Sequence, residues 1–315
     1  MKILYLVNRK YYLKKMSRVR FHGLKALQKL ADIHYSGVGW SDFDNKVSVQ
    51  ENINNMNTKF DIVIVYKPLE MRDFKSINLP KCIRYNEMWD IEWTTKEIIE
   101  SGANLVICHH LNEMKMYNTK TFKAVVHFVY IGHCAEKSIF KNYNYSKKYD
   151  LVLVGNLSRR GYPLRYRFHN IFKKLSSKYR CHIHKHPGYD LNDAYTDRYL
   201  IEFAKIINRS KIAITDSGVP RTRYGKYIEI PMCHTALAGN IPLDDADDYD
   251  YIIRLNNEMT DKEIINKLIY YLKNEDKREE KVRKGIEFVK NYTQEHYARR
   301  LFDEIERFLK YKITV

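Results

Sequence analysis

The sequence predicts an α/β protein made of two Rossmann-like units, each a parallel sheet with helices packed on it. Three observations lead there. Short apolar runs alternate with stretches whose apolar residues recur at helical spacing, the order a parallel sheet requires because each crossover carries a helix. The pattern stops at a polar, tyrosine-rich stretch, Lys141 to Lys148, and then starts again. A length of 315 residues suffices for two cores at about 150 residues each. The expected division is a first domain at residues 1–143, a second at residues 149–292, and a closing helix at residues 293–315.

In the first domain, Lys2 to Val7 reads as the opening strand, Val19 to Leu30 as a helix and Ile33 to Ser36 as a second strand. Asp61-Ile-Val-Ile-Val-Tyr66 is a strong third strand. Further strands are expected near Cys82 to Tyr85, at Asn104 to Cys108 and at Ala124 to Phe128, with helices at Thr94 to Ser101 and His110 to Tyr117. The second domain repeats the scheme. Its strands lie near Leu151 to Val154, Cys181 to Lys185, Lys211 to Thr215, Thr235 to Ala238 and Tyr251 to Ile253, separated by helices at Leu164 to Ser176 and Arg198 to Asn208. Helices at Asp261 to Lys273, Lys277 to Tyr292 and Thr293 to Tyr311 close the chain, the last carrying Tyr297, Leu301, Ile305, Phe308 and Leu309 on one stripe.

Composition narrows the class. No apolar run reaches the roughly 18 residues of a membrane span, and Met1 to Val7 runs into charge instead of an export signal's apolar core and cleavage site. The expectation is a cytoplasmic protein, at most peripheral to a membrane. Five cysteines, odd in number and widely spaced, form no Cys-x-x-Cys pair, which argues against a disulfide framework or a zinc knuckle. The net charge of +17 favours an anionic partner: a nucleotide, a nucleic acid or an acidic membrane surface. Met1 to Ala31 holds nine Lys or Arg and no carboxylate, whereas Asp244 to Asp250 is acidic. A solvated basic face and a substrate-facing patch are equal readings of the first segment. Nucleic acid is disfavoured, because Tyr11, Tyr12 and Phe21 interleave with cations but no recognised nucleic-acid motif accompanies them.

The chemistry concentrates after the expected strand at Lys211 to Thr215. Arg221, Arg223 and Lys226 follow on a loop and first helical turn, where open α/β sheets take ligands, and cations beside a helix start suit a diphosphate. Glu229, two turns beyond Arg221 on the same face, can accept two hydrogen bonds from a ribose diol. The loop from Gly155 to Arg165 emerges from the same sheet edge: Gly155 permits close backbone approach, and Arg159, Arg160 and Arg165 can neutralise phosphate. His182, His184 and His186 alternate along one strand, but no carboxylate or cysteine completes a metal-ligand pattern, so no metal is expected. No Asp-x-Asp pair stands at a strand end either. Tyr189, in His186-Pro-Gly-Tyr189, can stack on a base or simply pack within its loop, and the two readings are equal. The loop Asn8 to Arg18 carries no carboxylate, which leaves Glu87, Asp90, Glu92, His109, His110 and His133 as acid-base candidates; His133, Glu87 and Asp90 are carried forward.

Lys226-Tyr-Ile-Glu-Ile-Pro-Met-Cys233 running on to Thr235-Ala-Leu-Ala-Gly239, with Asp150-Leu-Val-Leu-Val-Gly155 and Tyr162-Pro-Leu-Arg165 upstream, resembles the C-terminal half of GT-B glycosyltransferases, nearest to the group 1, CgeB-like branch. The resemblance is specific over about Tyr149 to Pro242. It implies two Rossmann-like domains facing across a cleft, with the C-terminal helix returning to the first. Many retaining members carry two glutamates eight positions apart that flank the donor, the second holding the ribose. Glu229 matches the second; Arg221 stands at the first, and His234 replaces a glycine common in that turn. The resemblance also implies base contacts near His186 and a cleft-lining place for His133. The resulting expectation is a hexosyl- or pentosyltransferase that moves a sugar from a nucleotide-sugar donor to a glycan or other hydroxyl acceptor, retaining, metal-independent and without a cofactor. The alternative is a noncatalytic nucleotide- or carbohydrate-binding protein on a degenerate GT-B scaffold.

Overall fold

A computed structural model describes residues 1–15, 21–117, 126–244 and 249–314. The chain divides into two compact units, Met1–Gly132 with Tyr189–Thr196 and Gln294–Val315, and His133–Gly188 with Asp197–Thr293. The first division thus falls ahead of the Lys141 to Lys148 stretch. Tyr189–Thr196 is tied to the first unit by Leu191 N–H donating to the Lys14 carbonyl at 2.7 Å and by a 2.9 Å ion pair between Lys15 and Asp190.

Strands β1 (Lys2–Leu6), β2 (Asp32–Ser36), β3 (Ile62–Val65), β4 (Lys81–Arg84), β5 (Leu105–Cys108) and β6 (His127–Tyr130) form the first sheet, all parallel, in the order β2-β1-β3-β4-β5-β6. Every side chain of β3, β4 and β5 is buried. Successive side chains point to opposite faces, so both faces of the sheet are covered, and this is why β3 and β5 read as unbroken apolar runs, whereas β4 buries Lys81 and Arg84 at its ends. The crossovers carry α1 (Arg9–Lys14), α2 (Phe21–Leu27), α3 (Val49–Asn55), α4 (Ile91–Ser101) and α5 (Leu111–Met116).

Strands β7 (Tyr149–Leu153), β8 (Cys181–Ile183), β9 (Ser210–Ile214), β10 (Ala236–Gly239) and β11 (Ile252–Arg254) form a second parallel sheet in the order β11-β10-β9-β7-β8. Its helices are α6 (Pro163–Leu175), α7 (Arg198–Asn208), α8 (Lys226–Met232), α9 (Asp261–Lys273) and α10 (Glu275–Val289). Alternation along the strands separates two cores. Leu151, Leu153, Ile212 and Ile214 pack with Phe168 and Ile171 of α6 and Leu268 of α9, whereas Val152, Val154 and Ala213 pack with Phe203 and Ile207 of α7 and Ile228 of α8. The terminal helix α11 (Gln294–Thr314) is part of the first unit and lies on α2. Its Tyr297, Leu301 and Ile305, one turn apart, are buried, and the Tyr297 hydroxyl accepts from Arg84 Nε at 2.8 Å.

Two helices escaped the sequence reading. α1 occupies part of the Asn8 to Arg18 stretch read as a loop: Asn8 caps it by accepting from Lys10 N–H at 2.9 Å, but none of its residues is buried, so there is no apolar stripe to detect. α3 is capped by Ser48, which accepts from Glu51 N–H at 3.2 Å; it buries Asn52, whose amide donates to two carbonyls, among polar neighbours that hide its period. β6 sits later than expected because pairing with β5 sets Cys108 against Tyr130. The expected helix start at Val19, Ala124 of the expected strand, and Asp245, Asp247 and Asp248 of the acidic stretch lie outside the described residues. Among the described residues no helix is long and apolar enough to cross a membrane.

Candidate functional site

In the second sheet the strand order reverses between β7 and β9, so the loops that follow them depart to opposite faces and leave a crevice at their carboxyl ends. Gly155 stands there. Its φ is +104°, and a Cβ on it would lie 2.2 Å from Arg165 Nη1, 2.8 Å from Arg165 Cζ and 3.1 Å from Lys226 Cε. Only glycine fits such a position, because the turn is buried with Arg165 and Lys226 packed directly against it.

Arg165, on the first turn of α6, is buried beneath this turn. Its Nη2 donates to Asp216 Oδ1 at 2.7 Å and to the Asp216 carbonyl at 2.9 Å, its Nη1 to the Asn156 carbonyl at 2.9 Å, and its own N–H to Asp216 Oδ2 at 3.0 Å. The guanidinium also lies 4.0 Å from the Tyr162 ring centroid. Asp216, directly beyond β9, therefore locks the two loops across the switch point. Sequence reasoning missed it; the available signal was a lone carboxylate just past a buried strand.

Lys226 opens α8 and crosses Gly155. Its ammonium is 5.7 Å from the Phe203 ring centroid and forms no hydrogen bond or ion pair among the described residues. Burial pushes its pKa down, the Arg165 charge adds to that, and Glu229 pulls it back. Glu229, one turn along α8, folds its carboxylate back toward Gly225, so that Oε1 is 2.9 Å from where a Cβ on Gly225 would be. Its charge also helps raise the Tyr199 pKa, after burial, and so sits close to that ring.

His184 and His186, beyond β8, face the same cations. His184 stacks on Tyr199 and Phe203, with centroids 5.6 and 5.3 Å away, and its Nε2 is buried with no hydrogen-bond partner among the described residues. Burial first, then His182 and Lys226, push its pKa down to about 4. His186 Nδ1 accepts from Gly188 N–H at 3.1 Å; burial, then Lys226, Arg165 and His184, likewise lower it to about 4. Both rings stay neutral in the folded chain at pH values where the unfolded chain takes up protons. Stability should accordingly be level above about pH 6.5 and fall as the pH drops from there toward 4. His184→Phe keeps the stacking and removes one titrating ring, so urea midpoints measured from pH 7 to 4 should fall less steeply than in the parent.

The structure divides the cations that the sequence grouped together. Gly155, Arg165, His186, Lys226 and, one turn on, Glu229 gather at the switch point. Arg159 and Arg160 lie exposed in the loop between β7 and α6, Arg159 at 6.0 Å from the Tyr166 ring centroid. Arg221 precedes α8 instead of sharing a helical face with Glu229: its φ is +57°, and its guanidinium donates to the Ile241 carbonyl at 2.9 and 3.3 Å, joining the loops after β9 and β10. His234 also has a left-handed φ, +53°, the region that glycine adopts most readily. Arg223 is 2% exposed, 4.4 Å from the Tyr292 ring centroid, and its N–H donates to the Asp244 carboxylate, so it is held inside the unit and not at its surface. Tyr189 is exposed and is part of the first unit. Glu87 and Asp90 are exposed residues of the first unit: Glu87 Oε2 accepts from Trp89 Nε1 at 3.3 Å, and Asp90 caps α4, accepting from Trp93 N–H at 3.0 Å. His133 is buried at the start of the second unit. Among the described residues no three His, Cys, Asp or Glu side chains are grouped so as to hold a metal ion.

Compared by sequence, the chain matches no family model and no curated protein. Solved structures are similar over nearly the whole chain. HepE from Anabaena, in complex with UDP and glucose, superposes with a TM-score of 0.63 at 8% identity, covering 98% of this chain and 100% of that one. An α-glucosyltransferase in complex with UDP-glucose and DNA gives 0.64 at 11% identity over 97% and 98%. A glycosyltransferase from Rickettsia africae gives 0.62 at 13% identity over 98% of both chains. The chain has the GT-B fold. At these identities the likeness is one of fold, and the two parallel sheets of six and five strands match its two-domain plan.

Proposed function

We propose that this GT-B chain is a glycosyltransferase that moves a sugar from a nucleotide-sugar donor to a hydroxyl acceptor, and that it belongs near the CgeB-like branch. One observation carries the reading: at the switch point of the second unit, the glycine turn at Gly155 lies beside the ammonium of Lys226, which has no hydrogen-bond or ion-pair partner among the described residues. A diphosphate satisfies both, since backbone N–H groups and a cation stabilise the charge that develops as the leaving group departs. Glu229 would hold the ribose diol and His186 would border the base. Arg159 and Arg160 would approach the phosphates from the exposed loop. The binding of UDP and UDP-glucose by proteins of this fold supports the choice of donor. Because cations of the chain answer the leaving diphosphate, the reaction is proposed to need no metal ion, and the family resemblance together with the carboxylate-free stretch Asn8 to Arg18 favours a retaining course. Glu87, Asp90 and His133 remain the proposed acid-base candidates.

Lys226→Met tests this. Removing a charged donor should weaken UDP binding by about 1.5–3 kcal/mol, roughly tenfold to a hundredfold, measured by titration calorimetry. In the parent, affinity should decline as the pH rises through the lowered Lys226 pKa, because only the ammonium binds the diphosphate, and the decline should begin below the pH an ordinary lysine requires. The variant should lack that limb. Unchanged UDP affinity in folded Lys226→Met would remove the diphosphate from this turn.

Arg221 favours a second reading, nucleotide binding without transfer. It stands where relatives place a donor-side glutamate, and its guanidinium is committed to the Ile241 carbonyl. UDP binding with neither transfer nor hydrolysis across a panel of UDP-sugars would select it.

A further inference from the structure

Two tryptophans stand on the surface of the first unit four residues apart. Trp89 is 61% exposed and Trp93 52%, with Ile91 between them at 45%. They follow β4 at the carboxyl edge of the first sheet, the side on which open α/β sheets take ligands. Tryptophan is largely buried in most proteins, and a single exposed apolar side chain is ordinary, but two exposed tryptophans and an isoleucine within five residues are not.

Their exposure does not come from a slack loop. Met88 is 1% exposed, its N–H donates to the Glu113 carboxylate, and its carbonyl accepts from the Tyr117 hydroxyl, which also donates to the Asp90 carbonyl at 3.2 Å. Asp90 in turn caps α4 at Trp93. The backbone on both sides of Trp89 is pinned, and the Glu87 carboxylate accepts from its indole N–H, so the ring is held outward in a set orientation.

Charge decides the occupant. Glu87 to Glu100 holds five carboxylates and one lysine on a chain of net charge +17, and Glu87, Asp90 and Glu92 are exposed around the rings. An anionic lipid surface attracts lysine and arginine and is repelled by such a cluster. An uncharged polyol is not: carboxylates accept hydrogen bonds from hydroxyls, and the C–H face of a pyranose packs on the apolar face of an aromatic ring. We propose that Trp89 and Trp93 form a binding platform for a neutral pyranose glycan, the acceptor of the transferase reading above, on which this inference rests.

The test titrates the full chain with four neutral hexasaccharides, of α-1,4-linked glucose, β-1,4-linked glucose, β-1,4-linked mannose and β-1,4-linked N-acetylglucosamine, and follows tryptophan emission. At least one should shift the emission and saturate. Trp89→Ala and Trp93→Ala should each weaken that binding by about tenfold or more, with UDP affinity held within about twofold of the parent. The platform is overturned if none of the four binds, if both variants bind as the parent does, or if the tryptophans are needed instead for binding phosphatidylcholine–phosphatidylglycerol vesicles or for self-association in sedimentation. A parent chain that binds a hexasaccharide but not UDP would defeat the transferase reading and leave the platform standing.

Discussion

Asp216→Ala is expected to destabilise the second unit by about 3–5 kcal/mol, the loss typical when one partner of a buried ion pair is removed. Asp216 is 1% exposed and Arg165 3%, and the carboxylate takes a hydrogen bond from both the Arg165 side chain and its N–H. Without it a guanidinium remains in the interior with the Asn156 and residue-216 carbonyls as its acceptors and no opposite charge bonded to it. Urea unfolding followed by circular dichroism measures the effect, read on the transition of the second unit because a two-unit chain need not unfold in one step. Asp216→Asn keeps an acceptor but not the charge, and should fall between parent and alanine. A loss below about 1 kcal/mol in Asp216→Ala would mean that Arg165 swings out to solvent, and the turn at Gly155 would then not be fixed from below.

That pair also shows where sequence reading stops. Strands such as β3, β5, β7, β9 and β10 were legible because buried parallel strands are apolar runs, and α6, α7, α9 and α10 were legible because each carries an apolar stripe at helical spacing. Gly155, Lys226 and Glu229 could be singled out because their chemistry is rare at the end of a strand. What the sequence does not encode locally is the division of labour among cations. Arg165 and Arg223 look as available as Arg159 and Arg160 in the one-dimensional string, yet Asp216, fifty-one residues away, claims the first, and Asp244 with the Tyr292 ring encloses the second. Arg221 seemed to share a helical face with Glu229, but a left-handed residue breaks the period before α8 begins. The Trp89 to Trp93 surface was invisible for the opposite reason. Nothing in the local sequence marks Trp89 and Trp93 as exposed, whereas the structure buries Met88 between Glu113 and Tyr117 and leaves both rings outside.

Gly155→Ala should be nearly as damaging as the loss of Asp216, by a route that separates geometry from charge. The added methyl would meet Arg165 Nη1 at 2.2 Å, a distance real Cβ atoms do not show, and the guanidinium cannot withdraw because Asn156 and Asp216 hold both of its terminal nitrogens. Overpacking of this kind costs about 1–3 kcal/mol, and forcing a non-glycine residue to φ +104° adds on the order of 1–3 kcal/mol. The two contributions separate in a double-mutant cycle. Replacing the buried pair by apolar residues, Arg165→Met with Asp216→Leu, removes the obstacle while keeping the volume filled, and such exchanges are often neutral for stability. In that background Gly155→Ala should cost only its backbone strain, so the cycle should show a coupling of about 1–3 kcal/mol. Additive losses would mean that the methyl is accommodated by a shift of the whole turn. UDP affinity divides these outcomes again. A displaced turn carries the Gly155 backbone away from Lys226 and weakens binding even in the apolar background, whereas a turn held in place changes only the methyl, 3.1 Å from Lys226 Cε, and leaves Lys226 as the cation that binding depends on.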